Sequence, residues 1–220
     1  MQILVIGSEV NLKECRQKFG ETNQYQLAEN SYEVTNALTG EKVVFDFHVG
    51  SRRSRFEFYR NFSGVVFLDV SRSSLEELIG SHEARTTFIG FCGLPTFLNR
   101  EILEVSLIKK EDEVILNELC VKLHTKFAVV KDQVGLVTSR IICMIINEAY
   151  FAIMEKIALR SDIDLAMKLG TNYPFGPFEW SEKIGIRNVY EVLKAVGEST
   201  NDERYKVCGL LEKEALMTKL

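Results

Sequence analysis

The sequence predicts an α/β sheet domain over residues 1–130, followed by an all-helical domain over residues 131–220. Two observations carry this prediction. Short apolar, β-branched runs bounded by glycine or polar residues recur through the first part, as expected for buried strands. The second part instead carries a long apolar helical segment and a proline-containing corner. A chain of 220 residues has room for two small domains.

The first predicted strand, Gln2–Ile6, ends at Gly7, and a helix is predicted over residues 12–19. A strand, a glycine turn and a helix begin a dinucleotide-binding fold, in which G-x-G-x-x-G lets the backbone approach a pyrophosphate. Only the first glycine is present here, and Glu9 brings a negative charge to the place of the pyrophosphate. The loop therefore predicts weak binding of a dinucleotide. Its six positions are Gly7, Ser8, Glu9, Val10, Asn11 and Leu12.

Further strands are predicted along the rest of the first domain, at residues 25–28, 42–47, 64–70, 86–91, 101–108 and 126–130. The polar stretch between the second and third strands is predicted as a connection that turns at Gly40. A short helix is predicted to end at Ile79, and an amphipathic helix is predicted over residues 111–123.

The helix predicted over residues 136–157 has a broad apolar arc. A helix with such an arc buries more than one side, so the sequence predicts that it packs against a second copy of the chain as well as its own core. The alternative is that the whole arc packs within its own chain. The arc is formed by Ile141, Ile145, Ala149 and Ala152, with Ile142, Ile146, Tyr150 and Ile153 beside them.

A smaller helix is predicted next. Ser161 is placed as its N-cap, Asp162 and Asp164 lie in its positive first turn, and Gly170 is predicted to end it.

A rigid corner is predicted after that helix. Pro174 and Pro177 push their predecessors out of the helical region, and Gly176 permits a sharp turn between them. Two more helices are predicted at residues 187–196 and 204–217.

Charge and cysteine content exclude several functional classes. The net charge of -4, with basic and acidic residues interspersed, gives no basic face for nucleic acid. The five cysteines include no Cys-x-x-Cys pair, which indicates reduced thiols in a cytoplasmic protein and no metal site. No segment has the pattern of an export signal or a membrane span. One basic cluster, predicted to be a solvated surface, consists of Arg52, Arg53, Arg55 and Arg60.

The residues from 131 to 196 resemble the C-terminal domain of the 3-hydroxyacyl-CoA dehydrogenase family. The resemblance implies NAD as cofactor, an acyl-CoA substrate and dimers formed through the helical domain. The family's N-terminal domain is longer than the stretch before residue 131, so a shortened, Rossmann-like sheet domain is implied. The matching residues are Lys131-Asp132, Gly135, Arg140, Asn147-Glu148-Ala149, Asp162-Ile163-Asp164, Ala166-Met167-Lys168, Gly170, Tyr173-Pro174, Gly176-Pro177, Glu179 and Ile184-Gly185.

The resemblance also implies site residues. Ser73 matches a serine near the substrate oxygen in the family's N-T-S-S-L turn, where Ser71 replaces the asparagine. Ser139 stands where the family has a second asparagine close to the substrate, and it can still form hydrogen bonds. Glu104 is similar to the glutamate that orients the catalytic histidine. For the serine turn an alternative stays open, namely that Ser73 or Ser74 is only the N-cap of the following helix.

The family's catalytic histidine is absent. Counting back from Glu104 at the family's spacing gives Cys92, whereas aligning Pro95 with the family's proline gives Phe91. Oxidation of a 3-hydroxyl group needs a base near neutral pKa, which histidine supplies. A thiolate of Cys92 could serve instead, but its reference pKa of about 8.5 favours a structural role. The histidines that are present match no family site: His48, His82 and His124.

Three functional hypotheses follow. The first is a family member, a pseudoenzyme of acyl-CoA metabolism, that has lost efficient hydride transfer and keeps a cleft for an acyl-CoA-type ligand. The second is a working NAD-dependent dehydrogenase that uses Glu104, Ser73 and Ser139. The third is a non-catalytic dimeric interaction module. The first is preferred because the cofactor loop, the base and the asparagine are all altered.

Overall fold

The computed structural model describes residues 1–40, 42–48, 56–80 and 85–218. The chain divides into two compact units, Met1–Leu136 and Val137–Leu220. Three members of the predicted basic cluster, Arg52, Arg53 and Arg55, lie outside the described residues, as does His82. In the described part of the chain, no helix has the length and apolar character needed to cross a bilayer.

The first unit is built on a seven-stranded sheet with the order β2-β1-β3-β4-β5-β6-β7. Strands β5 and β6 pair antiparallel, and all other neighbours pair parallel. The predicted fold class, an α/β sheet domain followed by a helical domain, is confirmed. The strands are β1 Gln2–Ile6, β2 Gln24–Ala28, β3 Val43–Asp46, β4 Val65–Asp69, β5 Thr87–Phe91, β6 Ile102–Leu107 and β7 Lys126–Val130.

Comparison with the usual dinucleotide-binding strand order shows which strand this sheet lacks among the described residues. In the dinucleotide-binding order 3-2-1-4-5-6, one more strand lies outside the second. Here the chain passes from β2 through a single helix directly to β3, on the other side of β1. The sheet of the described residues therefore ends at β2, and the strand order reverses between β1 and β3.

The helices of the first unit are α1 Glu9–Phe19, α2 Ser31–Ala37, α3 Phe56–Tyr59, α4 Leu75–Ile79 and α5 Asp112–Lys122. The sequence did not predict α2, in the polar stretch after β2. Asn30 caps it by accepting the amide hydrogen of Glu33, and Val34 and Ala37 are buried. Two apolar residues three positions apart are enough to anchor so short a helix, but too few to produce a helical pattern.

Phenylalanine rings form the centre of the first unit's core. Phe45 of β3 stacks on Phe67 of β4 at 4.5 Å between ring centroids, and it meets Phe91 of β5 edge-on at 5.7 Å. Phe19 of α1 packs on the same Phe45 ring at 4.9 Å. The core thus attaches α1 to the middle of the sheet.

The second unit is helical, with α6 Thr138–Met154, α7 Arg160–Thr171, α8 Pro177–Ile184, α9 Ile186–Thr200 and α10 Gly209–Met217. Helix α6 is shorter than predicted at both ends. Leu136 and Lys156, just outside it, have positive φ values of 49° and 60°, and a left-handed residue cannot continue a right-handed helix.

Helix α7 corrects two predictions. Its N-cap is Leu159 and Ser161 lies inside its first turn, so Ser161 is not the cap. Gly170 lies within the helix, and Asn172, with φ 56°, provides the left-handed stop instead. The corner itself is present as predicted, because α8 begins directly after Gly176 with Pro177 at its first position.

Candidate cofactor and substrate site

The turn after β1 is filled by a side chain of its own helix. The Gly7 amide donates to the Ala28 carbonyl oxygen at 3.2 Å. The Ser8 amide and the Ser8 hydroxyl both donate to Oδ1 of Asn11, each at 2.9 Å. A Cβ atom placed on Gly7 would lie 2.6 Å from that same oxygen. The Asn11 oxygen therefore occupies the space over the glycine and takes up the donor that a phosphate oxygen would use.

The crevice at the point where the strand order reverses has a buried acid and an aromatic ring. Ligands of open α/β sheets bind at the carboxyl ends of the strands beside such a point. Here β3 ends in Asp46, which is 1% exposed and accepts hydrogen bonds from the His48 amide at 2.8 Å and the Tyr59 hydroxyl at 2.9 Å. The next residue, Phe47, packs edge-on against Phe91 at 5.2 Å.

Asp69, at the end of β4, organises the neighbouring loops, and sequence reasoning missed it. Its Oδ1 accepts the amide hydrogens of Ser71 at 3.0 Å and Gly93 at 2.8 Å, and its Oδ2 accepts the Ser71 hydroxyl at 3.0 Å. Burial raises the pKa of Asp69, while Arg72 and these hydrogen bonds act in the opposite direction. The sequence feature that could have indicated this role is an aspartate at the carboxyl end of an apolar strand, where ligand sites of α/β sheets lie.

Two residues are candidates for the place of the family's histidine, and their surroundings in the structure differ. Phe91 is fully buried, and its ring belongs to the aromatic core. Cys92 is 5% exposed and lies directly before Gly93. The amide of Gly93 donates a hydrogen bond to Asp69. A histidine at residue 91 would break the core, so the geometry favours Cys92 as the matching position.

Glu104 and Cys92 share a cationic neighbour that the sequence did not single out. Glu104 is half-buried in the middle of β6. The guanidinium of Arg100 lies 4.5 Å from the centre of the Phe97 ring. Burial lowers the pKa of Arg100, and the nearby Cys92 and Glu104 act in the opposite direction. The site thus combines a thiol, a carboxylate and a guanidinium within one unit.

The serine turn after β4 has mainly a capping geometry. The Ser74 side chain accepts the Glu77 amide hydrogen at 3.1 Å and is the N-cap of α4. The Ser73 hydroxyl donates to the Glu77 carboxylate at 2.8 Å. Ser71 is buried against Asp69. Ser74 is therefore the N-cap of α4, as the capping alternative has it. Ser73 forms a hydrogen bond with a side chain of the same helix.

Asp132 holds the start of α4 from a distant part of the sequence. Its two carboxylate oxygens accept the amide hydrogens of Leu75 and Glu76, each at 2.9 Å. The Ser106 hydroxyl of β6 also donates to it, at 2.8 Å. An acidic side chain at a helix N-terminus is favourable for both hydrogen bonding and the helix dipole. This residue of the family pattern is therefore structural.

The matching residues of the second unit hold its helices together. Ser139 lies fully buried in the first turn of α6. The Asn147 side chain donates to the Lys206 carbonyl oxygen at 3.0 Å and accepts the Cys208 amide hydrogen at 2.8 Å. These bonds attach α6 to the segment before α10.

At the corner, Asp164 of α7 caps α8. Its carboxylate accepts the amide hydrogens of Phe178 at 2.8 Å and Glu179 at 3.3 Å. A Cβ atom on Gly176 would lie 2.2 Å from Asp164 Oδ1, so only glycine fits there. Among the described residues, no group of three or more His, Cys, Asp and Glu side chains is arranged to hold a metal ion.

Comparisons with known proteins match the helical unit most strongly. Residues 135–220 match the family model of the 3-hydroxyacyl-CoA dehydrogenase C-terminal domain. The 3-hydroxyadipyl-CoA dehydrogenase of Escherichia coli K12 is 39% identical over 88 residues, which cover 40% of this chain and 18% of that protein. The 3-hydroxybutyryl-CoA dehydrogenase of Bradyrhizobium diazoefficiens is 29% identical over 152 residues, 68% of this chain and 52% of that protein. The chain thus spans at most about half the length of these relatives.

Solved structures show the same fold over nearly the whole chain. An (S)-3-hydroxybutyryl-CoA dehydrogenase from Ralstonia eutropha superimposes with a TM-score of 0.72 at 15% identity, covering 96% of this chain and 92% of that one. FadB2 of M. tuberculosis gives a TM-score of 0.76 at 15% identity, covering 97% and 93%. Because the superposition covers nearly the whole chain, the likeness of architecture includes the sheet unit.

Proposed function

Since this chain belongs to the 3-hydroxyacyl-CoA dehydrogenase family, we propose that it acts in acyl-CoA metabolism with a ligand of the acyl-CoA type and has lost efficient hydride transfer. The family relationship supports the ligand class, since the relatives are dehydrogenases of hydroxyacyl-CoA compounds. The changes at two places in the first unit support the loss.

The observation that carries the proposal is the position of Asn11. Its Oδ1 atom accepts both hydrogen bonds of Ser8 and lies over Gly7. A pyrophosphate would need that space and that amide. Glu9, exposed in the first turn of α1, adds like-charge repulsion. These residues do not fit NAD, so binding is expected to be no tighter than about millimolar, or at most ~4 kcal/mol.

The second support is the group beside Glu104. A hydride transfer from a 3-hydroxyl group requires a base that takes the hydroxyl proton. Cys92, the counterpart of the family's histidine that the buried position of Phe91 favours, is a thiol that is 5% exposed, and an ordinary thiol with a pKa of about 8.5 is mostly protonated near neutral pH. By the resemblance, Glu104 is the counterpart of the glutamate that orients the family's histidine, so the orienting carboxylate is present without the imidazole at residue 91 or 92 that it would orient.

Calorimetric titration with NADH tests the cofactor part of the proposal. The wild-type chain is expected to bind weakly, and Asn11→Gly to bind about tenfold more tightly, because one amide and the space over Gly7 are released. Asn117→Gly, the same substitution on an exposed position of α5, is the matched control and should leave affinity unchanged. A micromolar dissociation constant for the wild-type chain would instead favour a working dehydrogenase.

We also propose a homodimer formed through the helical unit. The structure leaves part of the predicted apolar arc uncovered, since Ile141 is 52% exposed, and Leu169 of α7, which lies outside that arc, is 78% exposed. Several exposed apolar side chains on a small helical unit are the kind of surface that a second copy covers. Further exposed apolar residues of α6, α7 and their connection are Met154, Ile157, Leu159 and Leu165. A cytoplasmic location is proposed because all five cysteines are buried reduced thiols.

A further inference from the structure

Arg100 carries a guanidinium group whose hydrogen-bonding capacity the chain does not use. The residue is half-buried shortly before β6, and its Nε atom is buried without a hydrogen-bond partner. Within the described part of the chain, no carboxylate pairs with this guanidinium and no oxygen accepts its hydrogens. An arginine offers five donors, and a buried arginine normally has a partner. These donors are therefore available to a group that the chain does not itself supply.

Two contacts fix the position of this guanidinium. Its central carbon lies 4.5 Å from the centre of the Phe97 ring, and that ring is only 5% exposed. The ammonium group of Lys18 donates to the carbonyl oxygen of Arg100 and so holds its backbone. A guanidinium against an aromatic ring can still bind a carboxylate or a phosphate through two parallel hydrogen bonds. The group is thus positioned before any ligand arrives.

The charges around Arg100 also favour an anionic ligand. Burial lowers the pKa of Arg100, because the charged form loses hydration, while Cys92 and Glu104 act in the opposite direction. A charge that is partly removed from water without an ion-pair partner is unfavourable. Glu104 is near, but it forms no ion pair with Arg100, so it offsets this cost only in part. A second anion at the unused donors would offset the remainder.

The position of Arg100 indicates which part of a ligand that anion belongs to. By the resemblance, residue 91 or 92 and Glu104 mark the place where the acyl group of a CoA thioester reacts. Arg100 lies near Cys92 and Glu104. The phosphates of CoA are separated from the thioester by the pantetheine arm, so they are not expected beside the acyl group.

We propose that Arg100 binds a carboxylate at the far end of the acyl group, so that the ligand is the CoA thioester of a short dicarboxylic acid. The inference rests on the proposed acyl-CoA ligand and names its acyl class. It does not depend on whether the chain transfers hydride.

Calorimetric titration of the full chain with glutaryl-CoA and valeryl-CoA tests the proposal. The two acyl groups have the same number of carbon atoms, and only glutaryl ends in a carboxylate. The wild-type chain is expected to bind glutaryl-CoA about tenfold more tightly, on the order of one charge-assisted hydrogen-bonded pair. Arg100→Gln should abolish this preference. Arg16→Gln is the matched control, since its guanidinium also lies over a ring, that of Tyr25 at 5.4 Å, and the preference should remain.

A second variant and a third ligand complete the test. If Arg100→Gln does not fold, Arg100→Met decides, because its unbranched apolar side chain can pack on Phe97 and should also lose the preference. Equal affinity of the wild-type chain for both thioesters would overturn the inference and leave the proposed ligand class standing. Binding of neither thioester would refute that ligand class, and the inference with it. An equal loss of affinity for CoA, valeryl-CoA and glutaryl-CoA in Arg100→Gln would assign the anion to a CoA phosphate and overturn the carboxylate.

Discussion

Replacing Asp164 should destabilise the helical unit strongly, because this side chain caps a helix that is not its own. Its carboxylate accepts the amide hydrogens of Phe178 and Glu179 at 2.8 and 3.3 Å. Phe178 is 5% exposed, so water has little access to its amide after the change. Asp164→Ala leaves both amides without an acceptor, whereas Asp164→Asn keeps one oxygen in place.

The expected magnitude follows from those two amides. A buried donor left unsatisfied costs about 1–3 kcal/mol, and loss of an N-cap costs about 0.5–2 kcal/mol. We expect about 3 kcal/mol for Asp164→Ala and about 1 kcal/mol for Asp164→Asn, which retains a neutral acceptor. With a slope of about 1.5 kcal/mol per molar urea, the alanine variant unfolds about 2 M earlier.

Trp180 provides the assay, because it is the chain's only tryptophan, lies in α8 and is 6% exposed. Its fluorescence during urea unfolding reports on the helical unit alone. Asp162→Ala, at an exposed position of α7, is the matched control and should change stability by less than about 0.5 kcal/mol. Equal stability of the Asp164 and Asp162 variants would refute the capping argument.

Gly176→Ala offers an independent check of the same contact. Its Cβ atom would clash with Asp164 Oδ1 at 2.2 Å, while φ of -73° suits any residue. Asp164→Gly removes that clash, whereas Asp164→Ala keeps a Cβ atom that would lie 2.4 Å from the new one, so Asp164→Gly is the second single variant. The double variant should therefore lose less stability than the sum of the two single variants, which a double-mutant cycle measures.

Three further predictions concern other parts of the chain. Asp132→Ala should destabilise the first unit by about 2–3 kcal/mol in urea unfolding and speed hydrogen exchange in α4, because two amides and a hydroxyl lose their acceptor; unchanged exchange in α4 would contradict this. Ile141→Asp with Leu169→Asp should convert a dimer to a folded monomer in light scattering, and a wild-type monomer at micromolar concentration would refute the dimer. Burial raises the pKa of Tyr150 to about 12, so its contribution to stability is present below about pH 10 and lost between pH 10 and 12, where only the unfolded tyrosine ionises. Tyr150→Phe should flatten that decline in the free energy of unfolding, and an unchanged pH profile would argue against it.

Local patterns in the sequence predicted the elements whose causes are local. The strand β4 followed from an apolar run bounded by glycine and serine, and the corner followed from two prolines around Gly176. The sequence predicted the ends of helices less accurately where several residues could end a helix. Asn172 rather than Gly170 stops α7, because asparagine also adopts the left-handed region.

The contacts that define the candidate site could not be read from local patterns. Leu75 and Asp132 are separated by 57 positions, and Asp69 and Gly93 by 24. No periodicity connects such pairs, since they meet only after the sheet has formed. The resemblance indicated Glu104 and either Cys92 or Phe91, but the guanidinium of Arg100 near Cys92 and Glu104 emerged only from the folded loop.

The rate of acetoacetyl-CoA reduction by NADH tests the central claim, that hydride transfer is lost, most directly. The wild-type chain should show no turnover or a very slow one, because a missing general base removes about 10²–10⁴-fold of rate and weak cofactor binding adds to this. Cys92→His should restore part of the rate, and adding Glu104→Gln should abolish the recovery. Phe91→His should only destabilise the aromatic core. Robust turnover by the unmodified chain, lost on Cys92→Ala, would contradict the account and show that a thiolate acts as the base.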